Sequence, residues 1–246
     1  MTKTTFWSIG DLHLSFAKPR DFSQFGDVWH EHTQKLERNW RERVTPQDVV
    51  LLAGDTSWAT SFARFKPDLE WLEDLPGRKV LVRGNHDLWW RDVHKVRKHY
   101  LPENFYVLQG DCLEIDGVLL CGAQGHIAPN DPYYVPDPPK NRFEREMKSL
   151  SSALKIAAEV RSPGQPLVIM MHYPPFTSDG QPTPYSALIE KLAPAHCIYG
   201  HLHKPDEWQA AVSGYRNGIN YYLLAADYLE MMPQRLTLDI PELVEG

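Results

Sequence analysis

Five apolar stretches of the sequence end in polar residues that can bind a metal ion or transfer a proton. They are FWSIG before Asp11, VVLLAG before Asp55, KVLVRG before Asn85, LVIMM before His172 and HCIYG before His201. Glycine stands last in four of these stretches, where it lets the backbone turn sharply and come close to a ligand. A turn or a helix cap can explain one such sequence, but five together point to a shared site.

The polar residues that follow these stretches form a set with a defined chemistry. The set has two aspartates, one asparagine and four histidines: Asp11, His13, Asp55, Asn85, His172, His201 and His203. Histidine nitrogens combined with carboxylate or amide oxygens, and without thiolates, suit Mn²⁺, Fe, Co²⁺ or Zn²⁺. Seven ligands are too many for one ion and suit two ions, provided that one carboxylate bridges them.

Two such ions would give the site a specific reactivity. At about 3.5–4 Å apart, they hold the attacking and the leaving oxygen of an in-line displacement at phosphorus. They also lower the pKa of bound water toward about 7, which supplies hydroxide at neutral pH. The set therefore predicts hydrolysis of a phosphoester, and the ions make the site attractive to phosphate although the chain carries a net charge of -6.

The segment VLVRGNHDLW, from Val80 to Trp89, allows two interpretations. Asn85, His86 and Asp87 can form a turn and a helix cap. Alternatively, they are a metal ligand, a proton donor and the group that orients the donor. Taken alone, the three residues leave both interpretations open.

The strand and helix pattern can bring these polar residues to one place. Nine runs are predicted as strands: 4–10, 48–53, 79–83, 105–109, 112–121, 167–171, 196–199, 219–226 and 235–240. Apolar residues at three- and four-residue steps predict helices in four stretches: 29–40, 62–75, 89–100 and 143–157. Ligand sites of open α/β sheets form outside the carboxyl ends of the strands. The last two strand runs have only a turn between them, so we expect an α/β protein with a mixed sheet or two sheets.

Two stretches are predicted to be functional loops. Residues 126–140 and 174–184 are rich in proline, aspartate and glycine. Loops of this length within a compact domain often carry function. We expect them to decide which phosphoester the site accepts.

Composition and charge limit the functional class. The length of 246 residues suits one domain over 1–246. The negative net charge argues against binding to duplex nucleic acid through its phosphates. No apolar run has the length of a membrane helix, and the first residues have no signal-peptide pattern. We therefore expect a cytoplasmic protein that acts on a small phosphoester and not at a membrane.

The three cysteines give no metal or disulfide pattern in their spacing. Asp116 and Gly117 are a strong signal for a two-residue hairpin turn. This register places Cys112 opposite Cys121. In a reducing compartment we expect two free thiols rather than a bridge.

The polar motifs, taken in order, resemble those of the calcineurin-like metallophosphoesterase superfamily. They are Asp11-x-His13, Gly54-Asp55, Gly84-Asn85-His86-Asp87, His172 and Gly200-His201-x-His203. The resemblance extends from position 11 to position 203, and the ordered set is specific although each motif alone is weak. It implies a four-layer α/β/β/α sandwich, in which two mixed β-sheets are flanked by helices and the metal site lies above one edge of the sheets.

The resemblance also implies a role for each site residue. One ion would be held by Asp11, His13 and His203, the other by Asn85, His172 and His201, and Asp55 would bridge them. His86 would protonate the leaving oxygen, and Asp87 would orient the His86 ring. Mn²⁺ or Fe is the expected metal, with Zn²⁺, Co²⁺ or Ni²⁺ as alternatives.

Differences between these motifs and those of particular branches of the superfamily narrow the range of expected substrates. Its protein Ser/Thr phosphatases continue Gly-Asp with Val-Asp-Arg-Gly and use Asn-His-Glu, whereas here Thr56-Ser57-Trp58 follows Asp55 and the third motif ends in Asp87. Its lipid-precursor pyrophosphatases carry arginine in place of His86. The chain is more similar to small bacterial phosphohydrolases and cyclic-nucleotide-type phosphodiesterases.

We therefore predict a phosphodiesterase. The first alternative is a phosphomonoesterase that acts on a small metabolite or nucleotide. The second is a non-catalytic binding module, because some proteins with this fold have lost catalysis. The complete set of seven ligands and His86 argues against the binding module.

Overall fold

The computed structural model describes residues 4–138 and 140–238, and this part of the chain contains eleven β-strands and six α-helices. The strands are β1 (Phe6–Ile9), β2 (Val49–Leu52), β3 (Arg78–Val82), β4 (Phe105–Leu108), β5 (Asp111–Ile115), β6 (Val118–Ala123), β7 (Leu167–Met171), β8 (His196–Tyr199), β9 (Gly214–Arg216), β10 (Ile219–Leu223) and β11 (Gln234–Leu236). The helices are α1 (His32–Arg43), α2 (Phe62–Asp74), α3 (Val93–His99), α4 (Arg142–Val160), α5 (Pro184–Ile189) and α6 (Pro205–Ala210).

The strands form two sheets, and both are mixed. The first has the order β11-β1-β2-β3-β4, with β1 to β4 parallel and β11 antiparallel at one edge. The second has the order β5-β6-β7-β8-β10-β9, with antiparallel β5 and β9 at its edges. Its four inner strands are parallel. The prediction of an α/β protein with mixed sheets is confirmed.

Alternating side chains of the strands separate the layers. In β2, Val49 and Leu51 belong to an apolar cluster shared by the two sheets. Val50 and Leu52 belong instead to a cluster shared with helices, because successive side chains of a strand point to opposite faces. Helices α1, α2 and α3 cover the first sheet, and α4 and α5 cover the second. The layers therefore follow the order of the predicted four-layer sandwich.

The helices bury the predicted apolar stripes. Leu36 and Trp40 of α1 and Phe65 and Leu72 of α2 are fully buried against the first sheet. The stripe that starts at Trp89 continues into α3, but that helix begins only at Val93. Among the described residues, no helix combines the length and the apolar character that crossing a membrane requires.

A helix cap explains the late start of α3. The backbone N–H groups of His94 and Lys95 donate to one carboxylate oxygen of Asp92, at 2.9 and 3.2 Å. This satisfies two of the N–H groups that a helix leaves unpaired at its start.

Three short elements in the second half of the chain were not predicted. Helices α5 and α6 have six residues each and β9 has three, which is too short to show a period in the sequence. The run 219–226 ends as a strand at Leu223. Of the run 235–240, residues 239 and 240 lie outside the described residues. The described part of loop 126–140 has no helix or strand, and α5 begins at the last residue of loop 174–184.

The β5–β6 hairpin has the predicted register but corrects the expectation about its cysteines. Cys112 and Cys121 are direct partners across the two strands, and both residues of the turn, Asp116 and Gly117, have positive φ angles. A disulfide joins the two cysteines, whose Cα atoms are 4.3 Å apart. The expectation of two free thiols is therefore wrong, because the register already places the sulfurs together.

Candidate metal centre

The loops that carry the predicted ligands turn sharply where the parallel strands end. Asp11, His13, Asp55 and His201 have φ angles of 56°, 48°, 47° and 75°, in a region that non-glycine residues seldom adopt. The N–H of Asp11 donates to the carbonyl of Gly54 at 2.9 Å and ties the first two loops together. Residues in such conformations cluster at functional sites, and here each is a predicted ligand.

Two glycines that precede ligands are required because a side chain at either position would not fit. A Cβ atom at Gly84 would collide with the backbone N and the carboxylate of Asp55. A Cβ atom at Gly200 would collide with the Asp11 carboxylate. The two aspartates therefore approach the neighbouring loops closely only because these positions have no side chain.

Asp11, His13 and His203 form the first group of potential ligands. The Nε2 atoms of His13 and His203 are 3.2 Å apart, and Nε2 of His203 lies 3.6 Å from Oδ1 of Asp11. This oxygen is buried and has no hydrogen-bond partner among the described residues. An unpaired buried carboxylate oxygen is costly, and a cation among these three atoms would satisfy it.

Asn85, His172 and His201 form the second group. Nδ1 of His172 lies 3.1 Å from the Ala53 carbonyl, to which it can only donate, so in the neutral form that binds metal the lone pair of the ring is on Nε2. That Nε2 is 2.8 Å from Oδ1 of Asn85 and 3.2 Å from Nδ1 of His201. Lone pairs of a nitrogen and an amide oxygen thus face each other at short range. Such an arrangement calls for a cation between them.

Asp55 lies between the two groups. Its Oδ2 is 3.4 Å from Nε2 of His172, and its Oδ1 accepts a hydrogen bond from the backbone N–H of His86 at 2.7 Å. Ligand atoms of Asp11, Asp55 and His172 all lie within 4.8 Å of one another. Asp55 is therefore within reach of a ligand of each group and is a candidate to bridge two ions.

The protonation of Asp55, His13 and His201 also fits bound cations. Burial raises the pKa of Asp55 to about 7, so its full ionisation at neutral pH calls for a nearby positive charge. Burial lowers the pKa of His13 and of His201 well below the usual value. Both imidazoles are therefore neutral at neutral pH, which is the form that binds metal ions.

His86 lies beside the ligands and packs against an aromatic ring. The ring centroids of His86 and Trp58 are 3.8 Å apart, and Nε2 of His86 is 3.9 Å from Oδ2 of Asp55. Burial lowers the pKa of His86 to about 4. A phosphate anion bound next to the ring would raise this pKa, because an opposite charge favours the protonated imidazole.

Asp87 contacts the backbone around His86 and not the His86 imidazole. Its carboxylate accepts four hydrogen bonds, from the N–H groups of Gly84 (2.9 Å), Thr56 (3.3 Å) and Ser57 (3.0 Å) and from the indole N–H of Trp89 (3.0 Å). The resemblance implies that Asp87 orients the His86 ring. These contacts fix the turn that carries Asn85 and His86, through which Asp87 would act on the ring.

We expect Asp87→Asn to destabilise the fold and to weaken metal binding. The asparagine NH₂ group would face backbone donors, and each buried donor left without an acceptor costs about 1–3 kcal/mol. Thermal unfolding and metal titration measure the two effects. Asp74→Asn, at an exposed carboxylate, is the control. An Asp87→Asn protein with unchanged unfolding temperature and metal affinity would contradict this role.

Asp227, which belongs to none of the predicted motifs, supports His203. Its buried carboxylate oxygens lie 3.0 and 3.1 Å from Nδ1 of His203. Burial opposes protonation of His203, but Asp11 and Asp227 raise its pKa to about 11, so the two carboxylates stabilise a positive charge here. The sequence did contain a signal, because an aspartate also directly follows the run 219–226.

A carboxylate behind a histidine ligand holds the ring and makes its other nitrogen a better ligand. We therefore expect Asp227→Asn to lower metal affinity by about 10–100-fold. A metal titration followed by calorimetry would measure this change. Glu230→Gln, at an exposed position three residues further on, should bind metal normally. Equal metal affinities of the two variants would show that Asp227 does not support metal binding.

Further aromatic and basic residues border the site without a signal in the sequence. The Tyr173 and His201 ring centroids are 4.0 Å apart. The Arg20 guanidinium lies 4.3 Å from the ring centroid of Trp58, which itself packs against His86. The sequence spacing of these residues does not distinguish them from core or surface residues.

Sequence comparisons give one family and several relatives. A family model described as calcineurin-like phosphoesterase matches residues 4–205. An uncharacterized metallophosphoesterase of Helicobacter pylori is 25% identical over 234 residues, which are 92% of this chain and 59% of that protein. The Gene 66 protein of Mycobacterium phage L5 is 33% identical over 93 residues, which are 37% of this chain and 44% of that protein. The chain spans less than two thirds of the length of both relatives.

A solved structure shares the architecture. The phosphopantetheinyl hydrolase (PptH) of Mycobacterium tuberculosis superposes with a TM-score of 0.56 at 15% sequence identity, and the match covers 99% of both chains. At this identity the likeness shows a common fold.

Proposed function

The chain belongs to the calcineurin-like phosphoesterase family, and on that premise we propose that it is a phosphohydrolase with two divalent metal ions. Asp11, His13 and His203 would hold one ion. Asn85, His172 and His201 would hold the other, and Asp55 would bridge them. When bound, the ions supply electrophilic stabilisation of the phosphoryl group and an activated water. Mn²⁺ or Fe is the first expectation, since the nitrogen and oxygen ligands include no thiolate.

One observation carries this proposal. Oδ1 of Asp11 is buried without a hydrogen-bond partner among the described residues, next to the paired Nε2 atoms of His13 and His203. The lone pairs of Asn85 and His172 face each other in the same way. Within each group the ligand atoms lie close together, an arrangement that two cations would satisfy and a purely structural turn would not need.

His86 is the proposed proton donor for the leaving oxygen. Its imidazole lies beside the bridging position, 3.9 Å from Oδ2 of Asp55, and belongs to neither group of ligands. An anionic substrate raises its pKa toward neutrality, which is where a general acid works best. Asp87 holds the turn that places this ring.

We propose phosphodiesters as the preferred substrates and phosphomonoesters as the alternative. The segment after Asp55 and the His86-Asp87 pair differ from the protein phosphatase and pyrophosphatase patterns, which leaves small phosphoesters. PptH is named for hydrolysis of a phosphopantetheinyl group, and we infer from the shared fold only that a small organic phosphoester fits this architecture.

Metal analysis and a substrate panel test the proposal together. We expect two ions per chain after loading with Mn²⁺ or Fe²⁺, and metal-dependent hydrolysis of at least one class among linear diesters, cyclic nucleotides and monoesters. Zn²⁺, Co²⁺ and Ni²⁺ are compared in parallel. A value of one ion per chain at saturating metal would contradict the dinuclear centre. Two bound ions without hydrolysis of any class would favour the binding module.

A further inference from the structure

A cavity of about 370 Å³ opens beside the candidate metal centre. We call it the side cavity. Its wall includes His201, a proposed ligand, and Tyr173, whose ring packs against that of His201. Residues of the loops 126–140 and 174–184 form two of its sides, and residues of α6 form a third. The loops that were predicted to decide the substrate therefore enclose a space that continues from the metal centre.

The side cavity borders the second ligand group, whereas the proposed proton donor packs beside the first. His86 packs against Trp58 and faces His13 of the first ligand group, with ring centroids 3.8 and 5.7 Å away. The cavity borders His201 of the second ligand group, and His86 and Trp58 do not line it. The leaving group of a substrate must lie near His86. A group in the side cavity would then be the other substituent of the phosphorus, which a monoester lacks.

One part of the side cavity is lined by apolar side chains. Phe176 lies in its wall and is 5% exposed, and Ala128, Leu202, Ala210 and Val212 also contribute. Its volume is in the range of about 300–1,000 Å³ that is typical of pockets for small organic ligands. The space therefore suits a hydrocarbon or aromatic group.

The polar lining of the side cavity carries an excess of carboxylates. Asp131, Asp206 and Glu207 face one lysine, Lys204. The carboxylate of Glu207 pairs with the Lys204 amino group at 3.2 Å, so the charge of this lysine is already compensated. A second anionic group in the cavity would meet uncompensated negative charge, which costs binding free energy.

We propose that the side cavity binds the retained ester group of a phosphodiester, and that it selects an uncharged apolar or aromatic group over an anionic one. The inference rests on the proposed function, because it assumes hydrolysis at the metal centre. It names the substrate class as phosphodiesters with a single phosphoryl group, whose retained alcohol is uncharged and bears an apolar or aromatic portion.

A series of diesters with one common leaving group tests the inference. Ethyl, benzyl and 4-carboxybenzyl esters of p-nitrophenyl phosphate release the same p-nitrophenolate, so differences in kcat/KM arise from the retained group. We expect kcat/KM for the benzyl ester to exceed that for the ethyl ester by about tenfold or more, because burial of an aromatic ring stabilises the bound substrate. The 4-carboxybenzyl ester should lose this advantage.

Two variants locate the effect in the side cavity. Ala210→Phe fills part of the space and should abolish the preference for benzyl over ethyl. Asp206→Lys at the exposed rim reverses one charge. It should raise kcat/KM for the 4-carboxybenzyl ester relative to kcat/KM for the benzyl ester. The matched control is Glu103→Lys, an equal charge reversal at an exposed residue outside the cavity lining. This variant should hydrolyse all three diesters at the same rates as the unmodified protein.

The outcomes separate this inference from the proposed function. Hydrolysis of the three diesters at equal rates, or a benzyl preference that survives in Ala210→Phe, would overturn the inference and leave the proposed function intact. Hydrolysis of p-nitrophenyl phosphate alone would overturn the inference and favour the phosphomonoesterase alternative of the proposed function. Absence of hydrolysis of any of these esters by protein with two bound ions would overturn both.

Discussion

Asp55→Asn is expected to remove most of the metal affinity and nearly all hydrolysis. The carboxylate lies between the two ligand groups, with its ligand atoms and those of Asp11 and His172 within 4.8 Å of one another. Without its charge, two divalent ions would face each other with half of the carboxylate compensation. Loss of a residue behind a ligand already costs about 10–100-fold in metal affinity, so loss of a bridging ligand should cost more. Metal titration and turnover at saturating Mn²⁺ measure both effects.

The other end of the same strand provides the control. Asp48 stands directly before β2, whereas Asp55 follows this strand. Like Asp55, Asp48 is buried, with 5% of its surface exposed. It accepts hydrogen bonds from the backbone N–H groups of Thr5 and Thr45, so Asp48→Asn should lower stability without changing metal stoichiometry. Near-wild-type turnover of Asp55→Asn at saturating Mn²⁺ would show that Asp55 does not bridge.

His86→Ala is expected to lose activity in proportion to the basicity of the leaving group. Proton donation contributes about 10²–10⁴-fold when the departing oxygen is basic. An aryl oxide such as p-nitrophenolate leaves readily as an anion, whereas an alkyl or ribose alkoxide needs the proton. The variant should therefore retain both metal ions and much of its activity on aryl esters, and lose far more on alkyl or nucleoside esters. The comparison is made under conditions in which the chemical step limits the rate.

His94→Ala is the control for this experiment. His94 lies in the first turn of α3 and is exposed, so its removal should affect neither substrate class. Loss of metal from His86→Ala would identify His86 as a ligand. Equal losses on aryl and alkyl esters with metal retained would leave His86 as a phosphate-positioning group instead of the proton donor.

The leaving-group experiment and the side-cavity experiment examine different parts of the substrate. His86 acts on the oxygen that departs, whereas the side cavity is proposed to hold the group that stays. A p-nitrophenyl diester therefore reports on the cavity even in a protein that lacks His86. Both results together would define which way a diester lies across the metal centre.

The sequence alone determined the longer elements of the fold and the positions of the proposed ligands. Buried strands have short, continuous apolar runs, and a polar residue directly after such a run lies at the carboxyl end of a strand. Glycine before Asn85 and before His201 has a physical cause in the structure, because a side chain at Gly84 or Gly200 would collide with an aspartate. These are local requirements, so the sequence records them locally.

Contacts between distant segments were decided by the tertiary structure. His13 and His203 lie 190 positions apart, yet their Nε2 atoms are 3.2 Å apart. Their pairing depends on how β1 and β8 are placed in two different sheets, which no sequence period records. The sequence could assign such residues to the same ion only through the resemblance of the ordered motifs.

The supporting residues of the site also depended on the tertiary structure. Asp227 follows an apolar run like the other site residues, but its contact with His203 exists only because β10 lies beside β8. Asp87 could be placed near His86, whereas its hydrogen bonds to the backbone at Thr56 and Ser57 follow from the neighbouring loop after β2. The side cavity arises where two loops and α6 meet. Local sequence determines which groups are available, and the packing of sheets and loops decides which of them meet.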